Sequence, residues 1–183
     1  MHSDSIDKSY QDLHIRNSWY NESMIEITYT KGDATRPQTS GVKIIAHICN
    51  DLGGWGKGFV LSISKRWPEP EIEYRKWYRN KAKNNFKLGA VQIVQVEKYI
   101  HIANMVGQHG IRTVGDFRPP IRYNAVEGCL KILEKRTKEL YGSIHMPRIG
   151  TGLAGGKWEK IEPLIHDTLC KNDIPVYVYD YKE

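Results

Sequence analysis

The stretch KIIAHICNDLGGWGKGFVLSISKRW, residues 43–67, decides the fold. Its opening, KIIAHI (43–48), is nearly continuous in apolar character, as expected of a central strand buried on both faces. The run GGWGKG (53–58) comes directly after HICN, and FVLSISKRW (59–67) then reads as a helix. Strand, glycine loop and helix in that order make an α/β unit. A second unit of the same plan lies near the other end: SIHMPRI (143–149) as strand, IGTGLAGG (149–156) as loop, WEKIEPLIHDTLC (158–170) as helix. In this setting glycines let backbone N–H groups approach a phosphate closely, and the following helix N-terminus favours negative charge. Neither loop is a GxxxxGK[ST] motif, and neither matches GxGxxG with an acidic residue about 20 positions on. One glycine-rich turn alone reads as a tight connection. Two at the carboxyl ends of central strands, where open α/β sheets bind ligands, predict a diphosphate site.

Around these units the remaining elements fall into place. IEITYT (25–30) alternates as a half-buried strand should, and PVYVYD (175–180) supplies the last strand. AVQIVQV (90–96) and YIHIAN (99–104), separated by Glu97 and Lys98, read as a hairpin or close sheet neighbours. PEIEYRKWYRNKA (70–82) is a second helix beyond Pro68. RYNAVEGCLKILEKRTKEL (122–140) is amphipathic, and Pro119 and Pro120 stand just before it, where a helix tolerates them. In the last helix Trp158, Ile161, Leu164, Ile165, Thr168 and Leu169 form one stripe; Pro163 should lie in the first turn or kink it. Six strands with about four helices predict a three-layer α/β/α domain over 24–183, preceded by a polar N-terminal extension over 1–23.

At 183 residues, with 40% hydrophobic and 26% charged residues, the chain fits one globular domain. No apolar run approaches the roughly 20 residues needed to span a bilayer. The start, MHSDSIDKSYQ, lacks the apolar core of a signal peptide. Cys49, Cys129 and Cys170 are too few and too scattered for a disulfide framework, so a reducing cytoplasm is the expectation. The net charge of +6 gathers partly in RKWYRNKAKNNFK (75–87), which carries six basic residues and no acidic one. That stretch could be a nucleic-acid face. The preferred reading is a solvated amphipathic helix with its exit loop. A basic surface also attracts phosphorylated metabolites.

Asp33 in KGDAT and Asn50 at the end of HICN could each be turn residues. Both also sit just past strand ends, on the rim where the glycine loops belong. TKGDAT, AHICNDLGGWGKGF, the ANM strand end and MPRIGTGLAGGKWE, in that order, resemble the macro domain family over residues 24–181. Within it the chain looks like the branch of the yeast ADP-ribose 1″-phosphate phosphatase and the terminal ADP-ribose glutamate hydrolase. The resemblance implies a central mixed six-stranded sheet and ADP-ribose as ligand. It assigns the adenine to Asp33 with the backbone of Ala34, and the distal ribose to Asn50 with Trp55 beside it. Gly56, Lys57, Gly58 and Phe59 would form the first phosphate loop. Gly150, Thr151, Gly152, Leu153 and Ala154 would form the second. Val178 to Tyr181 would help wall the adenine pocket.

The departures from the family concern catalysis. The glutamate hydrolase branch uses a lysine just past the strand corresponding to 99–104 and an aspartate at the end of the second glycine loop; Val106 and Ala154 stand there instead. The mono-ADP-ribose hydrolases carry an aspartate just after the first loop, where this chain reads GFVLS (58–62). Two other groups are candidates. His109 in GQHG is expected to overhang the distal ribose, and an imidazole is the usual side chain for acid–base work; Asp51 could orient a water. His47 and His101 read as structural. No CxxC or HxxxH pairing calls for a metal, and no cofactor is expected. One expectation is a hydrolase acting at the distal ribose of ADP-ribose 1″-phosphate or ADP-ribosyl esters; another is an ADP-ribose reader without turnover. The expected partner is ADP-ribose, free or attached. Neither membrane nor nucleic acid is expected as primary partner, and the chain should be a monomer.

Overall fold

The computed structural model describes residues 25–113 and 117–180, so the expected extension over 1–23 and Tyr181 lie outside the described residues. The chain runs β1 (Thr28–Lys31), β2 (Val42–Asn50), α1 (Phe59–Ser64), α2 (Glu69–Arg79), β3 (Val91–Glu97) and β4 (Ile100–Gln108). It continues with α3 (Tyr123–Leu140), β5 (Gly142–Pro147), α4 (Trp158–Thr168) and β6 (Val176–Asp180). The strands form one sheet in the order β1-β6-β5-β2-β4-β3. All neighbours are parallel except β3 and β4, whose antiparallel pairing is the expected hairpin.

Burial of β2 on both faces explains its apolar run. Ile44 and Ala46 pack with Val126, Leu130, Leu133, Ile161 and Ile165 of α3 and α4 on one side. Ile45 and Cys49 pack on the other with an aromatic group from α2 and its surroundings: Trp55, Trp67, Tyr74, Trp77 and Phe86. These two cores make the three-layer α/β/α sandwich. The aromatics of the basic 75–87 stretch are thus partly spent on the core: Trp77 and Phe86 are buried, and Tyr78 packs against Phe86. α2 is the expected amphipathic helix, with Glu69 and Glu71 in its first turn and Lys76 and Arg79 in its last, as the helix dipole prefers.

Several element ends differ from the sequence reading: β1 begins at Thr28, α1 ends at Ser64 and β5 ends at Pro147. β4 does not stop at Asn104: Val106 pairs with Cys49 and Gln108 with Asn50, so Val106 is a fully buried strand residue rather than one just past the strand. Pro163 lies inside α4, beyond its first turn, and the helix continues to Thr168 as one element. Pro163 is on the exposed side, where its missing N–H removes one backbone bond without opening the core. Among the described residues no helix is long and apolar enough to cross a membrane.

Candidate functional site

The parallel strands bring Asn50, Pro147 and Asp180 to the same edge of the sheet, and a cavity of about 720 Å³ opens there. That size suits a small organic ligand. Asn50 and the whole Trp55–Phe59 run form one wall, and Gly150 through Ala154 form the facing one. Gln108, Ile111, Arg112 and Arg148, none of them a candidate from the sequence, also line it, as does His47. Ile111 and Arg112 follow β4 in a loop that carries no periodic signal, so only the tertiary fold brings them here. Asp33, Ala34, Asp51 and His109, by contrast, do not line the cavity.

The first loop is shaped by Asn50. Its Oδ1 accepts the N–H of Leu52 at 3.0 Å and of Gly54 at 2.9 Å, and its Nδ2 donates to Gly54 O at 2.7 Å. The Tyr74 hydroxyl donates to the Asn50 carbonyl. Most of the Asn50 side chain therefore holds the loop, leaving one amide N–H for any partner.

The loop glycines divide into two kinds. Gly150 has φ +72°, and a Cβ there would lie 2.7 Å from Ile121 Cδ1, so the fold itself demands glycine. Gly56 and Gly152 have no such reason: neither has a left-handed φ, and a Cβ on either would meet open space. Both line the cavity, and neither a backbone turn nor a neighbouring side chain requires glycine there. Above them Leu153 Cδ1 lies 3.7 Å from the Cβ direction of Gly58, and Ile111 Cδ1 lies 2.8 Å from that of Gly54. The two exposed apolar side chains lean over the first loop from separate loops.

At the β6 end, Arg148 donates from Nε to Asp180 Oδ1 at 2.6 Å and from Nη2 to Oδ2 at 3.0 Å. The guanidinium holds the Asp180 carboxyl below its ordinary range. It also lies over the Tyr29 and Trp158 rings, 5.0 and 5.2 Å from their centroids. Of residues 178–181, Tyr179 and Asp180 line this end of the cavity, and Val178 does not. Asp33 is one strand further out, where Gly32 N–H donates to Asp180 O. Its Oδ1 accepts both the N–H and the hydroxyl of Thr35 at 2.8 Å, while Oδ2, among the described residues, lies 3.7 Å from Arg36 Nε.

The candidate catalytic groups meet each other beside the cavity. His109 Nδ1 is 2.6 Å from Asp51 Oδ2, and Gly110 N–H donates to Asp51 Oδ1 at 2.8 Å. Burial pushes the Asp51 carboxyl up, but the Gly110 bond and His109 outweigh it and hold it below the usual carboxylate range. His47 is structural, as read from sequence, and it also floors the cavity. The Asn104 amide donates to Pro70 O and Gln92 Oε1, so its oxygen faces His47 Nε2, 2.7 Å away, and accepts from it. Burial lowers the His47 imidazole to about 4, making it a poor base at neutral pH. Among the described residues no three His, Cys, Asp or Glu side chains group as metal ligands.

Fold and cavity together define an α/β domain with a ligand crevice at the carboxyl edge of its sheet. No protein-family model matches the chain. Among solved structures it resembles a macrodomain protein from Streptomyces coelicolor, at 56% identity and TM-score 0.77, covering 86% of this chain and 100% of that one. Among curated proteins it is 30% identical over 185 residues to chromodomain-helicase-DNA-binding protein 1-like of Mus musculus; that match takes in 96% of this chain but spans only 19% of the mouse protein. It is also 28% identical to the ADP-ribose 1″-phosphate phosphatase of Lodderomyces elongisporus, over 84% of this chain and 99% of that one. The chain belongs to the macrodomain family.

Proposed function

We propose that this macrodomain binds ADP-ribose in the cavity and hydrolyses ADP-ribose derivatives at the distal ribose, as a 1″-phosphate or an ADP-ribosyl ester. The observation that carries the reading is the pair of open glycines, Gly56 and Gly152, on facing walls of the cavity. Two loops whose backbone can approach a ligand without side chains intervening suit a diphosphate. Lys57, exposed in the first loop, adds positive charge. The yeast relative, by its name, acts on ADP-ribose 1″-phosphate, which supports the same ligand class. Asp33, with its Oδ2 largely open, would accept from the adenine amino group; that requires the base to reach past Asp180 to the outer strand. His109, held by Asp51, would serve as general base toward the distal ribose.

A reader without turnover is the second reading. It is favoured by the position of Asp51 and His109 outside the cavity lining, where only their chain neighbours Asn50 and Gln108 face the ligand space. Calorimetric titration with ADP-ribose and AMP, beside a phosphate-release assay on ADP-ribose 1″-phosphate, tests both. ADP-ribose should bind and raise Tm, because a ligand of the native state stabilises it by mass action. AMP, lacking the second phosphate and distal ribose, should bind more weakly. No heat and no thermal shift at millimolar ADP-ribose would refute the binding reading, and binding without phosphate or ester release would leave the reader.

A further inference from the structure

The basic stretch singled out in the sequence begins with Arg75, and that half-exposed side chain reaches the carbonyls of the first glycine loop. Its Nη2 donates to the Trp55 carbonyl at 2.9 Å and its Nη1 to the Gly53 carbonyl at 3.2 Å. Its Nε donates to Glu71 Oε1 at 2.8 Å. The other carboxylate oxygen of Glu71 accepts from the Ser64 hydroxyl at 3.1 Å, and Ser64 Oγ accepts the Trp55 indole N–H at 2.7 Å. The bonds close a ring: Trp55 indole to Ser64, Ser64 to Glu71, Glu71 to Arg75, and Arg75 back to the Trp55 carbonyl. Trp55 is thereby held at both its backbone and its side chain, immediately before Gly56, Lys57 and Gly58.

We propose that Arg75 and Glu71 are positioning residues for the ligand site, which hold the first glycine loop in its ligand-receiving shape from behind without touching the ligand. The inference rests on the reading of that loop as a phosphate cradle. Its physical basis is that a loop containing Gly53, Gly54, Gly56 and Gly58 has large conformational freedom, and ordering it at the moment of binding would subtract from affinity. A fork that grips two carbonyls two residues apart removes that freedom beforehand. Lysine cannot substitute, because an ammonium offers no planar fork that reaches both carbonyls and the Glu71 carboxylate together. A long-range charge effect on the diphosphate would, by contrast, be kept by lysine.

Arg75→Lys, Arg75→Ala and Ser64→Ala are to be compared with the wild type by calorimetry with ADP-ribose and by amide hydrogen exchange without ligand. Both Arg75 variants should bind roughly tenfold more weakly, the scale expected when one loop must be ordered on binding. Exchange should quicken in residues 53–58 while β2 and β5 stay protected, and ligand should restore protection. Ser64→Ala opens the ring at another point and should reproduce the exchange effect, which keeps the test decisive if Arg75→Ala fails to fold. A wild type that binds while Arg75→Lys binds equally well, with unchanged exchange over 53–58, overturns the inference alone. A wild type that does not bind ADP-ribose overturns the functional reading, and the inference with it.

Discussion

His109 Nδ1 and Asp51 Oδ2 lie 2.6 Å apart although 58 residues separate them in the chain. The contact forms because Asp51 follows β2 and His109 follows β4, and these two strands are parallel neighbours ending side by side. The carboxylate fixes one imidazole nitrogen, so the other is left to accept a proton, the arrangement of a general base held by an orienting acid. If the dyad acts on the distal ribose, His109→Ala should lower turnover of ADP-ribose 1″-phosphate at least about tenfold, a conservative bound on the about 100- to 10,000-fold that acid–base help usually contributes. Affinity should barely change. Asp51→Asn, which can still accept from Gly110 but turns an amide N–H toward Nδ1 and so puts the ring proton on the other nitrogen, should lower turnover about as much. A fall in affinity with an unchanged turnover number would mean that His109 only covers the ribose.

Asp33 offers a sharper test as Asp33→Asn than as Asp33→Ala. The amide oxygen can still accept both Thr35 bonds and keep the turn, while the new N–H₂ faces the adenine amino group donor to donor. A charged hydrogen bond of about 1.5–3 kcal/mol would be lost, weakening ADP-ribose roughly ten- to 150-fold. Equal affinity in the folded variant would move the base to the Arg148–Asp180 end of the cavity.

Gly152→Glu should fold normally and lose binding. Its Cβ meets nothing in the protein, so the side chain has room, but that room is the ligand's, and the added charge repels a diphosphate. Gly150→Ala should behave oppositely, losing about 1–3 kcal/mol of stability through its left-handed φ and its clash with Ile121. Chemical denaturation and titration of both variants separate the structural glycine from the ligand glycine. Binding retained in Gly152→Glu would take the second loop out of the site.

Stability should fall as the pH drops from about 6.5 toward 4. Burial lowers the imidazoles of His47 and His145 to about 4, and Lys43 adds to the effect at His145. In the unfolded chain both titrate near pH 6.5. Between those values the unfolded state binds more protons, so stability is complete above the unfolded pKa and declines below it. For the fully buried His47 the loss is on the order of 3 kcal/mol by pH 4. His47→Gln should flatten the decline in Tm measured from pH 7.5 to 4.5. A wild-type Tm that is level over this window would mean that neither imidazole is held neutral.

Much of this molecule is local and therefore legible in the sequence. The apolar run of β2, the hairpin of β3 and β4, the amphipathic α3 and α4 and the two strand–glycine–helix units each follow from periodicity or backbone chemistry within a short window. Together they determine the layered fold and put both glycine loops on one edge of the sheet, which is why the two cavity walls could be named from the residues alone. What the tertiary structure alone decides is pairwise and distant. Arg75, read from sequence as part of a charged helix face, is committed to the carbonyls of Gly53 and Trp55. Arg148 finds Asp180 across neighbouring strands, and Ile111 and Arg112 reach the cavity from a loop without pattern. Asp33 and His109 fall outside the lining because strand order and side-chain direction, which no local window contains, set the last few ångströms. Periodicity reports which face of an element is buried; only packing of the whole sheet determines which polar group on that edge meets which.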